Sequence, residues 1–226
     1  MEGLTIIQKV AVFTPPVLLA VTLHEAAHGW VAGRLGDTTA LRLGRVTVNP
    51  LKHIDPVGTV LVPLLTMFTG FVFGWAKPVP VNWRNLNHPR RDMALVAVAG
   101  PAANLIMALI WALVIRAGGE ILPYSEWVAM PLIYMGAAGI LINIILMALN
   151  LLPILPLDGG RIMNSLLPPT VSQQFSRLEP YGLIIIVLLL VSGVLGKLLW
   201  PISSFFIALL PVPEILVQRL IQFIFT

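Results

Sequence analysis

The chain has no cysteine among its 226 residues. That excludes disulfides, thiolate metal ligands and a cysteine nucleophile, and it leaves the redox compartment open. Charge is nearly as scarce. Only 11% of the residues are Asp, Glu, Lys or Arg, against about 25% in a soluble domain. Internal repeats, low-complexity tracts and long polar linkers are missing too, so the sequence reads as a single domain over residues 1–226. The pI is near 9.9, yet the formal net charge is only +4. That is too little to argue for a nucleic-acid partner, and basic residues in so apolar a chain are more simply topology signals. Lys9 is the only early base and no cleavage site precedes the first polar motif, so a signal peptide is not expected.

What the chain has in quantity is apolar sequence. Hydrophobic residues make up 58% and the mean hydropathy is +0.91. Apolar runs fall at about 5–14, 16–35, 57–74, 93–117, 128–152, 182–200 and 203–225. One membrane crossing takes ~20 such residues. The expected fold is therefore an all-α polytopic membrane protein with about five to six transmembrane helices and the lipid bilayer as its solvent. Pro15-Pro16 should separate a short segment over 5–14 from a main helix that starts near Pro16 and stops near Leu35, before Gly36. Between the first and second core helices a short strand or re-entrant segment is expected. "LRLGRVTVN" (41–49) alternates and is rich in Val and Thr, as a strand would be. The run 57–74 carries Gly58, Pro63 and Gly70; it reads as re-entrant or as a buried hairpin, with a full span as the alternative.

Basic residues set the orientation. Of the fourteen Lys and Arg, eight lie between Arg34 and Arg91, and Arg161, Arg177 and Arg219 join them if the later spans alternate. Lys9, Arg116 and Lys197 remain for the other side. The positive-inside rule then places 36–56, 75–92 and 161–181 in the cytoplasm.

Against this background "VTLHEAAHGW" (21–30) is the anomaly: His24, Glu25 and His28 sit inside an apolar helix. Positions four apart share a helix face, with Cβ atoms ~5–6 Å apart. Both imidazoles can thus reach one Zn²⁺, while Glu25 points a quarter-turn away. It can serve as general base toward a water that the metal activates. Packing alone is a poor explanation for the motif. A charged residue near the membrane centre costs ~2.5–3.5 kcal/mol on the insertion scale, whereas bound zinc can supply ~10 kcal/mol or more.

A catalytic zinc needs a third protein ligand and an open position. His53 and His88 lie in basic loops. The best intramembrane acid besides Glu25 is Asp158, in "NLLPILPLDGGRI" (150–162), where Pro153, Pro156 and Gly159-Gly160 break the helix and can aim a carboxylate inward. The bland alternative makes Asp158 a helix N-cap. One Zn²⁺ per chain, held by His24, His28 and Asp158, is the expectation.

H-E-A-A-H in a membrane helix, "GPAAN" (100–104) and "NLLPILPLDGG" (150–160) together resemble the site-2 protease family of intramembrane zinc metalloproteases. With "HIDPVGT" (53–59) and "GWAKPVPVN" (74–82), the likeness is to the small prokaryotic members and covers roughly residues 16–165, leaving additional helices over 182–225. The resemblance implies His24, His28 and Asp158 as ligands and Glu25 as base. It also implies polar contacts near the site from Asn104 and Asn150, such as oxyanion stabilisation or positioning of unwound substrate; either Asn could instead bridge helices. It implies transmembrane protein substrates, single-pass segments cut within or near the bilayer. A prokaryotic cell membrane and a site nearer the cytoplasmic face go with it. An appended PDZ or CBS domain is not expected in these 226 residues. His53 and Asp55 are expected to structure their loop or to add a polar or metal-contacting group at the mouth. The 41–49 strand could pair with unwound substrate. The competing readings are a membrane metal transporter or sensor built on the same three ligands, and a non-catalytic binder of transmembrane partners.

Overall fold

The computed structural model describes residues 4–55, 58 and 77–225. The run 57–74, apart from Gly58, lies outside the described residues, and with it the question of a re-entrant segment or a full span. The long helices are α1 (Ile6–Arg34), α3 (Pro89–Ile121) and α4 (Glu126–Asn150). A four-residue helix, α2 (Thr39–Arg42), follows α1. After α4 come α5 (Asp158–Leu166), α6 (Pro169–Ser176), α7 (Gly182–Val191), α8 (Val194–Ala208) and α9 (Glu214–Phe225). Among the described residues four stretches are long and apolar enough to cross a membrane, namely α1, α3, α4 and residues 169–191; 194–208 and 215–224 are shorter apolar helices. The chain is an all-α integral membrane protein.

Two local expectations need correction. Pro15-Pro16 does not split the first helix, which runs unbroken from Ile6. Its start is fixed upstream by a capping box: Thr5 accepts from the Gln8 backbone N–H, and the Gln8 side chain accepts from that of Thr5. Thr14 Oγ1 donates to the Val10 carbonyl at 2.6 Å in the turn before the prolines. Such side-chain bonds let membrane helices tolerate proline. The C-terminus follows the sequence closely. Gly36 takes φ +113° and the Asp37 N–H closes back on the Ala32 carbonyl at 2.9 Å, a Schellman-type stop.

Nor is there a strand over 41–49, or anywhere among the described residues. The alternation of Leu, Arg and Val in this stretch has no ladder to join. Residues 39–42 close a helical turn, and the Arg45 N–H returns to the Ala40 carbonyl. The Arg45 guanidinium donates to the Lys77 and Pro78 carbonyls, so a side chain rather than the backbone ties this loop to the segment ahead of α3.

α1, α3 and α4 form the core. A four-residue connection makes α3 and α4 an antiparallel pair. Met107, Trp111 and Ile115 of α3 pack with Ala137, Ile140, Ile144 and Met147 of α4. Small residues permit the approach: a Cβ on Gly139 would lie 2.2 Å from the Trp111 ring, the close contact that helix pairs in membranes exploit. Along α1, His24 faces Asn104 and His28 faces Val96, so α1 runs antiparallel to α3 and parallel to α4. That arrangement brings the His-bearing turn of α1 to the end of α4 from which Asp158 follows.

Asp37, just past α1, anchors the loops at this end of the core. Its buried carboxylate accepts from the Thr39 N–H and hydroxyl, the Asn82 N–H and the Asn85 amide. Burial alone would raise its pKa; the hydrogen bonds from Thr39, Asn85 and Asn82 outweigh that and hold it below the ordinary carboxylate value.

Candidate active site

Side chains from two elements converge on one point. His24 and His28 come from successive turns of α1, and their Nε2 atoms are 3.1 Å apart. Asp158 is the first residue of α5, and its Oδ2 lies 3.3 Å from each of those nitrogens. All three side chains are buried. Among the described residues this is the one group of three or more His, Asp or Glu whose ligand atoms come together, all within 4.8 Å.

The local chain explains how Asp158 arrives there. α4 ends at Asn150, and 151–157 folds back tightly over the start of α5. A Cβ on Gly159 would stand 2.3 Å from the Leu151 carbonyl oxygen, and one on Gly160 would stand 2.5 Å from the Ile154 carbonyl carbon. Only glycine permits that fold-back. Leu157 occupies the cap position and no side chain caps the helix, so Asp158 is not the N-cap; its carboxylate is turned to the histidines.

The hydrogen bonds behind the two imidazoles set their chemistry. A carbonyl oxygen can only accept, so His28 donates from Nδ1 to Val96 O at 2.7 Å. His24 donates from Nδ1 to Asn104 Oδ1 at 2.6 Å. Both rings therefore present an Nε2 lone pair to the same point, where Asp158 Oδ2 is buried without a hydrogen-bond donor. Three acceptors facing one another repel unless a cation lies between them. The donor set and its spacing suit zinc. Tetrahedral coordination at ligand distances of about 2.0–2.1 Å requires donor–donor separations of roughly 3.3–3.4 Å. The remaining wall is Gly100, where a Cβ would sit 2.5 Å from His24 Cε1 and from His28 Nε2.

Glu25 is half-buried beside the group and lines the same cavity, of about 630 Å³. Its Oε2 accepts the Val79 N–H at 2.7 Å. Val79 belongs to the irregular stretch 77–82, of which Pro78, Val79 and Val81 line the cavity. Leu149, Asn150 and Leu157 line it as well. Arg161 also lines it, with its guanidinium 5.2 Å from the Trp83 ring centroid and 3.3 Å from Glu179 Oε1.

The two asparagines named from the sequence are placed differently. Asn150 is on the cavity wall and donates from Nδ2 to Leu146 O at 3.0 Å. Asn104 is fully buried behind His24, and its amide donates to Ala20 O at 3.3 Å and to Asn143 Oδ1 at 3.0 Å. Both of its N–H bonds are thus committed away from the cavity. His53 is buried with Nε2 3.2 Å from the Thr47 carbonyl, its own carbonyl accepts the Lys77 N–H, and Asp55 accepts the Gly58 N–H. Neither belongs to the three-residue group. Sequence reasoning missed Asn143, Val79 and Arg161. A polar residue within the apolar run 128–152 was the available signal for Asn143.

Comparison with known proteins fits this geometry. The family model described as Peptidase family M50 matches residues 120–193. Over 196 residues the chain is 39% identical to YwhC of Bacillus subtilis, an alignment covering 83% of this chain and 84% of that protein. The chain belongs to peptidase family M50. This M50 peptidase is also similar to the Rip2 proteins of Mycolicibacterium smegmatis, at 29% identity over 80% of this chain and 66% of the relative, and of Mycobacterium tuberculosis, at 25% over 79% and 66%. All three relatives are provisionally named zinc metalloproteases. No solved structure matches the chain significantly.

Proposed function

We propose that this M50 peptidase is an intramembrane zinc endopeptidase that cuts single-pass membrane proteins within or near their transmembrane segments. The observation that carries the reading is the meeting of Asp158 Oδ2 with both imidazole Nε2 atoms at 3.3 Å, beside a carboxylate that is not part of the group. His24, His28 and Asp158 hold the ion, one per chain. Zinc bound there supplies Lewis-acid activation of water and of a substrate carbonyl.

The chain's own groups do the rest. Glu25 is held by the Val79 N–H through Oε2, which leaves Oε1 to take a proton from the attacking water and to deliver it to the departing amine. The apolar walls formed by Val79, Leu149 and Leu157 limit the water around that transfer. The substrate must unwind locally, because a helix hides its carbonyls in internal hydrogen bonds. Asn150, with one amide hydrogen beyond its bond to Leu146 O, is positioned to meet an exposed substrate carbonyl. Arg34, Arg90, Arg91 and Arg161 flank this end of the core, which supports a site nearer the cytoplasmic face. The bacterial relatives support a prokaryotic cell membrane.

Glu25→Gln tests the reading. The variant should bind zinc as the parent does and lose cleavage by about 10²–10⁴-fold, the range general-base catalysis supplies. Intact substrates should then accumulate in the membrane proteome of cells carrying it. Cleavage at the parental rate would overturn the assignment of the base; a transporter, which needs no such base, should be indifferent to the change.

A further inference from the structure

We infer that Asn143 is a positioning residue for the metal site: by fixing which end of the Asn104 amide faces His24, it holds His24 in the tautomer whose Nε2 can bind a metal. The inference rests on the reading of His24 as a zinc ligand and extends it to a residue in another helix.

The two outer bonds of the imidazoles differ in kind. His28 donates to a backbone carbonyl, Val96 O, which has no alternative orientation. His24 donates to a side-chain carboxamide, Asn104 Oδ1, whose two ends are alike in shape and opposite in polarity. Turned over, Asn104 would point its NH₂ at Nδ1 and force the ring proton onto Nε2. That proton would face Asp158 Oδ2 at 3.3 Å, where it makes a satisfactory hydrogen bond and closes the site to a cation. The wrong tautomer is thus a self-satisfied, metal-excluding state, and something must disfavour it.

The surroundings of Asn104 Nδ2 do so. It faces two acceptors, Ala20 O at 3.3 Å and Asn143 Oδ1 at 3.0 Å. The second is the shorter bond, and it depends on the orientation of another carboxamide. Asn143 is oriented in turn by donation from its Nδ2 to Gly139 O at 2.8 Å, within its own helix. The polarity of a fixed backbone carbonyl in α4 is thereby passed through Asn143 and Asn104 to the ring of His24 in α1. Asn104 and Asn143 are both fully buried, so no water can substitute in the chain. Helix–helix adhesion alone does not account for Asn143, since α3 and α4 already meet through Gly139 against Trp111.

The test uses the full chain in detergent micelles or lipid nanodiscs, with zinc affinity measured against a competing chelator. The nitrogen-15 spectrum of its histidines is recorded after zinc removal. Wild type should show His24 protonated at Nδ1; a neutral His24 ring protonated at Nε2 alone in the folded metal-free protein overturns the inference directly, whatever any variant does. Asn143→Leu should weaken zinc by roughly 10–100-fold, the usual effect of an outer-shell change, and should bring an Nε2–H population to His24. Adding Asn104→Asp to Asn143→Leu should restore much of the affinity, because a carboxylate offers oxygen to His24 whichever way it turns. A folded Asn143→Leu protein with unchanged zinc affinity and an unchanged His24 tautomer refutes the inference. Wild type that binds no zinc refutes the underlying reading instead, so the two failures are distinguishable.

Discussion

Half of the most apolar window of α4 is buried inside the protein, but only 11% of the corresponding window in 169–191. The two stretches are similar in length and both are apolar enough to cross a membrane, so hydropathy alone does not separate core from lipid face. What separates them is where polar side chains go. His24, His28, Asn104, Asn143 and Asp158 are buried, and all belong to α1, α3, α4 or the start of α5. In α7 and α8 the one buried polar residue is Ser203, while Leu188, Val191 and Trp200 are well exposed. In lipid, apolar surface costs nothing to leave outside, and close packing and polar partners define the interior. The chain thus has a polar-centred three-helix core and an apolar periphery that reaches the site through Leu183 and Ile186.

That contrast can be broken at several places, beginning with the largest expected effect. Asp158→Ala removes a proposed ligand and should lower zinc affinity by well over about a hundredfold, beyond what changes to residues behind the ligands cost, with cleavage lost alongside; chelator competition on the purified variant checks it. Ile144→Ala, at a fully buried position between α3 and α4, should destabilise the core by about 2–5 kcal/mol, read as a fall in thermal unfolding midpoint in detergent. Gly100→Ala puts a methyl 2.5 Å from His24 Cε1 and His28 Nε2. Overpacking of this kind costs about 1–3 kcal/mol, which should appear as a roughly 5–150-fold loss of zinc affinity.

Asp37 gives a smaller, pH-dependent effect. Its folded pKa lies below the ordinary value, so its stabilisation is present above the unfolded carboxylate pKa of about 4 and disappears as pH falls through the depressed folded value. Unfolding midpoints of wild type and Asp37→Asn should therefore differ at neutral pH and converge in acid. Parallel curves at all pH values would contradict the role given to its hydrogen bonds. Leu188→Ala, on the exposed face of α7, should shift stability by no more than about 0.5 kcal/mol and leave zinc binding unchanged. A loss comparable to that of Ile144→Ala would mean that the periphery is packed after all.

Much of the core was legible in the sequence because it follows from short-range rules. A four-residue spacing puts His24 and His28 on one helix face wherever the helix ends. Asp158 stood out because so few acids lie in apolar surroundings and because glycine and proline around it demand an irregular backbone. Errors arose where local pattern and tertiary context disagree. Pro15-Pro16 looks like a boundary, but the capping box at Thr5 and Gln8 starts the helix earlier. Residues 41–49 alternate like a strand, yet the fold provides no ladder for them. The bond from Val79 to Glu25 spans 54 positions, and no periodicity reports a contact at that range. Asn104 was recognised through its motif, but its place behind His24 rather than on the cavity wall depends on Asn143, which no motif marks.

The central claim is that two helical turns of α1 and the first residue of α5 grip one zinc ion inside the membrane core. X-ray absorption at the zinc edge, on the full chain purified without chelator, tests it most directly. The account predicts one zinc per chain, with two imidazole nitrogens and a carboxylate oxygen among its neighbours at about 2.0–2.1 Å. A chain that carries no zinc, or zinc bound with fewer than two imidazoles, would contradict it.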